Sequence, residues 1–182
     1  MQNPGSITGG CNCGGVRYRV DFAPDHDWKR GPRTCQCTQC RKMCGSLVLN
    51  LHEVQISELT WLNKITYAEY NSSAQNFRAF CKNCGSSIAW IDRSVSKEIE
   101  LAVGAFDEEF LVGARDDEDR PLGAYGVALA NPKGNQYYIR NEIQGVTDTD
   151  LSHKGARFLE GEQGRRAAEQ DRILTQRLYL VL

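Results

Sequence analysis

Eight cysteines stand in three tight groups: Cys11-Asn-Cys13, Cys35-Gln-Cys37-Thr-Gln-Cys40 with Cys44 just beyond, and Cys81-Lys-Asn-Cys84-Gly85. Cysteines so closely spaced can aim several thiolates at one point about 2.3 Å away, which is what a tetrahedral zinc ion requires. Disulfides are poorly served, because a relaxed disulfide needs a separation and dihedral that Cys11 and Cys13 would meet only in a strained ring. The expected chemistry is therefore metal coordination.

A closed structural zinc site takes four thiolates, and neither two-cysteine group has enough alone. Cys81-x-x-Cys84 followed by Gly85 has the form of a zinc knuckle and is the natural complement of Cys11 and Cys13. Pairing them would staple the N-terminal strand to the far edge of the core and contribute folding free energy directly. Cys35, Cys37 and Cys40 could then bind a second ion with one tetrahedral position open. An open position marks a reactive site, where a water or a substrate sulfur can bind and lose its proton. Two alternatives stay open: Cys44 completes a closed four-cysteine site, or four cysteines hold an iron–sulfur cluster.

Arg41 and Lys42 directly follow the triad and would favour an anionic substrate, or else lie on a solvated turn. The backbone at Gly45 and Ser46 could donate hydrogen bonds to a developing oxyanion. His26, His52 and His153 are in no ligand spacing with the cysteines and read as surface or internally satisfied residues.

The elements that must position these groups are mostly strands. Val16, Tyr18, Val20 and Phe22 alternate with Arg17, Arg19 and Asp21, the period of a half-buried strand, so Cys11 and Cys13 fall on the turn before it. Ala23 to Pro32 reads as a loop. Strand-like runs follow at Ser46–Leu51, Leu59–Leu62, Ile65–Tyr70, Phe77–Phe80, Ser87–Ile91 and Glu98–Val103, with a polar turn at Asn71–Ser73. Asp107–Glu109 suggests a short helical turn, Asp116–Asp119 a solvated loop and Tyr137–Arg140 a late strand. From Gly161 the composition turns to strong helix formers, predicting a C-terminal helix that packs on its own core or on a second copy of the chain. The expected organisation is a β-rich metal-binding domain over 1–160 and a helical tail over 161–182.

With 182 residues the chain suits one domain with a tail. Its 22 basic and 23 acidic residues give a formal charge of −1, which supplies no field to hold a nucleic acid. No apolar run reaches the length of a membrane span, and the first residues, Met1 to Thr8, lack a secretory signal. These features predict a cytoplasmic protein of a reducing compartment.

Taken together, Gly9-Gly-Cys-Asn-Cys-Gly-Gly-Val-Arg-Tyr18, Cys35-Gln-Cys-Thr-Gln-Cys-Arg-Lys-Met-Cys-Gly45 and Phe80-Cys-Lys-Asn-Cys-Gly-Ser-Ser-Ile-Ala-Trp90 resemble the glutathione-dependent formaldehyde-activating enzyme family, which includes centromere protein V. The resemblance implies small stacked antiparallel sheets stapled by zinc–cysteine sites. It also implies two zinc ions, a structural one on Cys11, Cys13, Cys81 and Cys84 and another on Cys35, Cys37 and Cys40, where chemistry would occur. The activity it implies is that of a carbon–sulfur lyase joining formaldehyde to glutathione, with a small thiol or carbonyl compound as partner. Two positions depart from the family pattern: Gln36, where histidine is frequent, and Cys44, where threonine or serine is common. A non-catalytic zinc module and a thiol-redox or metal-buffering protein are the competing readings.

Overall fold

The computed structural model describes residues 3–95, 97–148 and 156–159, which hold ten strands and three short helices. The helix expected from Gly161 onward lies outside the described residues. A small antiparallel sheet has the order β1 (Ser6–Gly10), β2 (Arg17–Asp21), β5 (Leu59–Asn63). Its period-two pattern works as expected: Tyr18 and Val20 are fully buried, while Arg19 and Asp21 pair in solvent.

The larger sheet contains β3 (Arg33–Cys35), β4 (Leu49–Gln55), β6 (Tyr67–Ser73), β7 (Asn76–Cys81), β8 (Ser87–Asp92), β9 (Glu98–Ala102) and β10 (Gln136–Tyr137). Their order is β10-β3-β4-β9-β8-β7-β6, antiparallel throughout except where β10 runs parallel to β3. Ile7, Tyr18 and Val20 of the small sheet share one apolar core with Val54, Ala89 and Leu101 of the large one. Helices α1 (Thr38–Cys44), α2 (Glu108–Leu111) and α3 (Gly126–Ala130) are short. Tyr137 is a strand residue as expected, but the chain leaves the sheet at Tyr138, which is left-handed (φ 59°), and enters a 3-10 turn at Ile139–Asn141. No helix among the described residues is long and apolar enough to cross a membrane.

Strand register places two cross-strand rows on opposite faces of the large sheet. Ala79, Ala89, Leu101 and His52 form the row facing the core, and all four are buried. Arg78, Trp90, Glu100 and Glu53 form the row on the other face. The alternation in Glu98–Val103 reads by itself as one solvated face, yet Glu100 is only 6% exposed. Arg33 explains the difference: its guanidinium reaches across β4 to ion-pair with both Glu53 and Glu100.

His52 and His26, distant in sequence, meet in the folded chain. Their Nε2 atoms are 3.4 Å apart, the rings are parallel within 6°, and Phe22, Trp28 and Phe106 enclose them. His26 Nδ1 lies 3.0 Å from Glu58, and His52 Nδ1 lies 3.2 Å from the Leu129 carbonyl. Burial, with His26 as a second cause, pushes the His52 pKa down to about 4. Unfolded, the ring would titrate near 6.5. Its contribution to stability is therefore complete above about pH 6.5 and is lost as pH falls toward 4, by about 3 kcal/mol over that interval. Denaturant unfolding between pH 7 and 4 should show wild type losing that much more stability than His52→Gln. Equal losses would assign acid sensitivity to the cysteine groups, which both proteins share.

Candidate metal centres

Cys11 and Cys13 sit on the turn between β1 and β2, while Cys81 ends β7 and Cys84 sits on the turn to β8. The four sulfurs lie within 4.8 Å of one another. Cys11–Cys13 and Cys13–Cys81 are 3.5 and 3.6 Å apart, close to the edge of about 3.8 Å for a tetrahedron of thiolates around zinc. That spacing is well beyond a disulfide, and all eight cysteines are free. Two hairpin turns from different sheets are thus held tip to tip. Gly85, left-handed at φ 76°, lets the second turn fold back so that its amide donates to the Cys81 carbonyl at 2.9 Å.

Backbone and hydroxyl donors converge on these sulfurs. The Val16 amide donates to Cys11 Sγ at 3.1 Å and the Cys84 amide to Cys81 Sγ at 3.5 Å. Thr66 Oγ1 lies 3.0 Å from Cys81 Sγ, and Ser86 Oγ lies 3.2 Å from Cys84 Sγ. The Ser86 hydroxyl is the main reason the Cys84 thiol is lowered to about 5. Such donors favour the thiolate, which is the form that binds metal. Four sulfurs at tetrahedral spacing, with donors directed at Cys11, Cys81 and Cys84, fit a structural zinc ion.

The second group is built on a strand-to-helix junction that spacing alone did not define. Cys35 ends β3, Cys37 is the N-cap of α1, and Cys40 lies in its first turn. Cys37 Sγ accepts the Cys40 amide at 3.3 Å, the usual work of an N-cap serine. These three sulfurs also lie within 4.8 Å of one another. Hydrogen bonds from Cys35 and Cys40 pull the Cys37 thiol far below its ordinary range, and the same bond to Cys37 holds Cys35 far above it. One thiolate shared among three sulfurs is what a triad at this distance adopts when no cation balances it; a divalent ion supplies that balance. The donor set fits zinc.

Cys44 does not join the triad. Its thiol donates toward the carbonyls of Arg41 and Ser46, at 3.8 and 3.7 Å, at the other end of α1. Cys44 and Ser46 line a separate cleft that borders Cys11 and Cys84. Gly45 is the left-handed C-cap of α1 (φ 67°), its amide bonded to the Arg41 carbonyl at 2.9 Å. Arg41 and Lys42 occupy the last turn, where positive charge complements the helix dipole. None of these five residues lines the cleft over the triad. Gln36 is also turned away: it is buried, accepts a 2.8 Å bond from Thr147 Oγ1, and through its carbonyl accepts Asn141 Nδ2. It ties the segment after β10 to the β3–α1 junction.

The cleft over the triad has a volume of about 560 Å³. Its walls include Thr38, Gln39, Asn76, Arg78, Trp90, Tyr137, Tyr138 and Asn141. Of these, Arg78 contacts the triad directly, its Nη1 lying 3.4 Å from Cys40 Sγ. The signal for it was present in the sequence: Phe77-Arg-Ala-Phe80 is an otherwise apolar strand run carrying one cation.

Two sheets joined tip to tip by a four-cysteine group, with a three-cysteine group under a cleft, define a β-rich protein with two potential metal sites. The chain belongs to the glutathione-dependent formaldehyde-activating enzyme family, whose model matches residues 6–119. No curated protein matches it. A solved structure of a Rhodobacter sphaeroides protein, a structural genomics target, is similar at 22% identity over 56% of this chain and 89% of its own, with a TM-score of 0.45.

Proposed function

We propose that the chain is a zinc-dependent enzyme of carbon–sulfur chemistry, acting on the adduct of a small thiol such as glutathione with a carbonyl compound. The observation that carries this reading is the asymmetry of the two groups. Four sulfurs converge at the sheet junction, whereas among the described residues the cleft group offers three and no fourth Cys, His, Asp or Glu donor joins them. Family membership supports the same reading. Zinc bound by Cys35, Cys37 and Cys40 would supply Lewis acidity and lower the pKa of a bound thiol.

The chain's own residues would do the rest. Cys35 and Cys40 are buried and Cys37 is half-buried at the cleft wall, so the triad is shielded on the core side and accessible from the cleft. Thr38, Gln39, Asn76 and Asn141 supply hydroxyl and amide groups around it, suited to orienting the peptide and carboxylate groups of a glutathione-like thiol. The aromatic rings of Trp90, Tyr137 and Tyr138 offer apolar wall on which a substituent of the carbonyl partner can rest.

Elemental analysis of wild type and Cys44→Ser should find two zinc ions per chain in both. Glutathione should perturb the triad metal, read on a cobalt-substituted sample. Exchange NMR should show accelerated interconversion of glutathione and its hydroxymethyl adduct, unchanged in Cys44→Ser and abolished in Cys37→Ser. A single ion in wild type, or loss of one ion with Cys44, would overturn the open-site reading. Thiols that oxidise with zinc release under peroxide, with no adduct chemistry on a panel of aldehydes, would move the function to redox buffering.

A further inference from the structure

Arg78 enters from the middle of β7 and is 3% exposed. Its Nη1 lies 3.4 Å from Cys40 Sγ and 3.4 Å from Met43 Sδ, and its Nη2 donates to Gln39 Oε1 at 3.4 Å. Every one of these acceptors is on α1. Its Nε is buried with no hydrogen-bond partner. Among the described residues no carboxylate pairs with it, although Arg33, on the same side of the sheet, is held by two. A buried guanidinium is costly unless a negative charge compensates it, and the negative charge within reach is sulfur.

Charge counting identifies that partner. Three thiolates around a divalent ion carry a net charge of −1, and one guanidinium brings the assembly to zero. A four-thiolate site carries −2, and the four-cysteine group at the sheet junction meets it with exposure, Cys13 and Cys84 both lying at the surface. The triad has no exposed cysteine, Cys35 and Cys40 being buried and Cys37 half-buried, so its charge calls for a partner within the protein.

We propose that Arg78 is the positioning residue of the Cys35–Cys37–Cys40 metal site. It balances the charge of the metal–thiolate assembly and, by donating to Cys40 Sγ, fixes that sulfur and draws electron density from it. Partners of this kind, placed just behind the ligands, orient them and typically change metal affinity by about 10–100-fold when removed. Gln39 serves the same arrangement by holding the far nitrogen of the guanidinium. The inference rests on the reading of the triad as a metal site.

The test is zinc affinity at the triad in the full chain, measured by competition with a chromophoric chelator on wild type, Arg78→Met and Arg78→Lys. The sulfur-to-metal charge-transfer band of the cobalt-loaded proteins is recorded alongside. In Arg78→Met the triad should bind zinc at least about tenfold more weakly and the band should shift to lower energy, as a thiolate stripped of its donor is easier to oxidise. The four-cysteine group should keep its ion, which reports that the fold is intact. Lysine keeps the charge, so Arg78→Lys should lose less than tenfold.

A folded Arg78→Met chain that loses less than tenfold, with an unmoved band, overturns the proposal. If Arg78→Met does not fold, Arg78→Lys decides: a loss below tenfold with a shifted band supports the proposal, and a tenfold or greater loss overturns it. One ion in wild type would overturn this inference together with the functional reading. Two ions, held equally well in wild type and Arg78→Met, would overturn this inference alone.

Discussion

Cys81→Ser is expected to abolish folding of the domain at physiological temperature, whereas Cys37→Ser should lose one metal ion and keep its fold. The difference follows from what each group ties together. Cys13 and Cys81, 68 residues apart, have sulfurs in contact, so an ion there closes a long loop and joins two sheets. Cys35, Cys37 and Cys40 span one strand end and one helical turn. Loop-closure entropy alone favours the long-range closure as a stabilising link by about 2 kcal/mol. Structural zinc sites in small domains contribute on the order of 10 kcal/mol, comparable with the whole stability of a typical domain at about 5–15 kcal/mol. Serine at position 37 also retains what Cys37 does for the backbone, because a serine oxygen is a good N-cap for α1. Thermal unfolding with parallel elemental analysis checks both arms. Equal destabilisation by the two substitutions would refute the division between a structural group and a chemical one.

The local features of this fold were legible in the sequence for a physical reason: they are set by neighbours in the chain. Period-two alternation depends only on which face of a strand is wet, and it located β2 and β9, while short strand-like runs located β7 and β8. The Cys-x-x-Cys-Gly turn encodes its own geometry, since the glycine supplies the left-handed residue that the turn needs. Counting ligands then suggested that the first and third groups belong together.

What was not legible depends on register and on covering layers. Alternation shows that Glu98 and Glu100 share a face of one strand, not that register sets Glu53 of β4 beside Glu100 or that Arg33 and the cleft wall cover them. Arg78 lies 38 residues from Cys40, and only the pairing of β7 within the sheet brings it over α1. His26 and His52, which read in sequence as surface or satisfied residues, are satisfied by each other and by Glu58 and the Leu129 carbonyl. In sequence, Arg41 and Lys42 read as binding residues because they follow the triad, and Gly45 and Ser46 because their backbone could donate to an oxyanion. Their position at the far end of a two-turn helix carries them away from the cleft, because each helical residue advances about 1.5 Å along the axis.

Arg33→Met is expected to cost about 3–5 kcal/mol of stability, because it removes a buried cation that two acids share. Arg33 is 8% exposed, its Nη1 is 2.7 Å from Glu100 Oε1, and it also pairs with Glu53. Glu53 additionally pairs with the more exposed Arg30, so the larger share of the loss falls on Glu100. Neutralising that residue should therefore recover most of it: Arg33→Met/Glu100→Gln should be more stable than Arg33→Met alone, and the two changes should be strongly non-additive. Urea unfolding of the two single variants and the double variant supplies the cycle. Additive losses would mean that the ion pair is incidental and that Arg33 matters through its packed stem. The cluster also lies under the cleft, since Arg33 and Glu100 line it beside Trp90 and Arg78. Glu100 and Trp90 are register partners, as are Trp90 and Arg78. Loss of the Arg33 charge beside Glu100 draws water and rearranges the row that carries Arg78, so Arg33→Met should also weaken metal binding at the triad, where the double variant restores it. Through that row, the buried acids of β4 and β9 would be coupled to the cysteine triad at the start of α1.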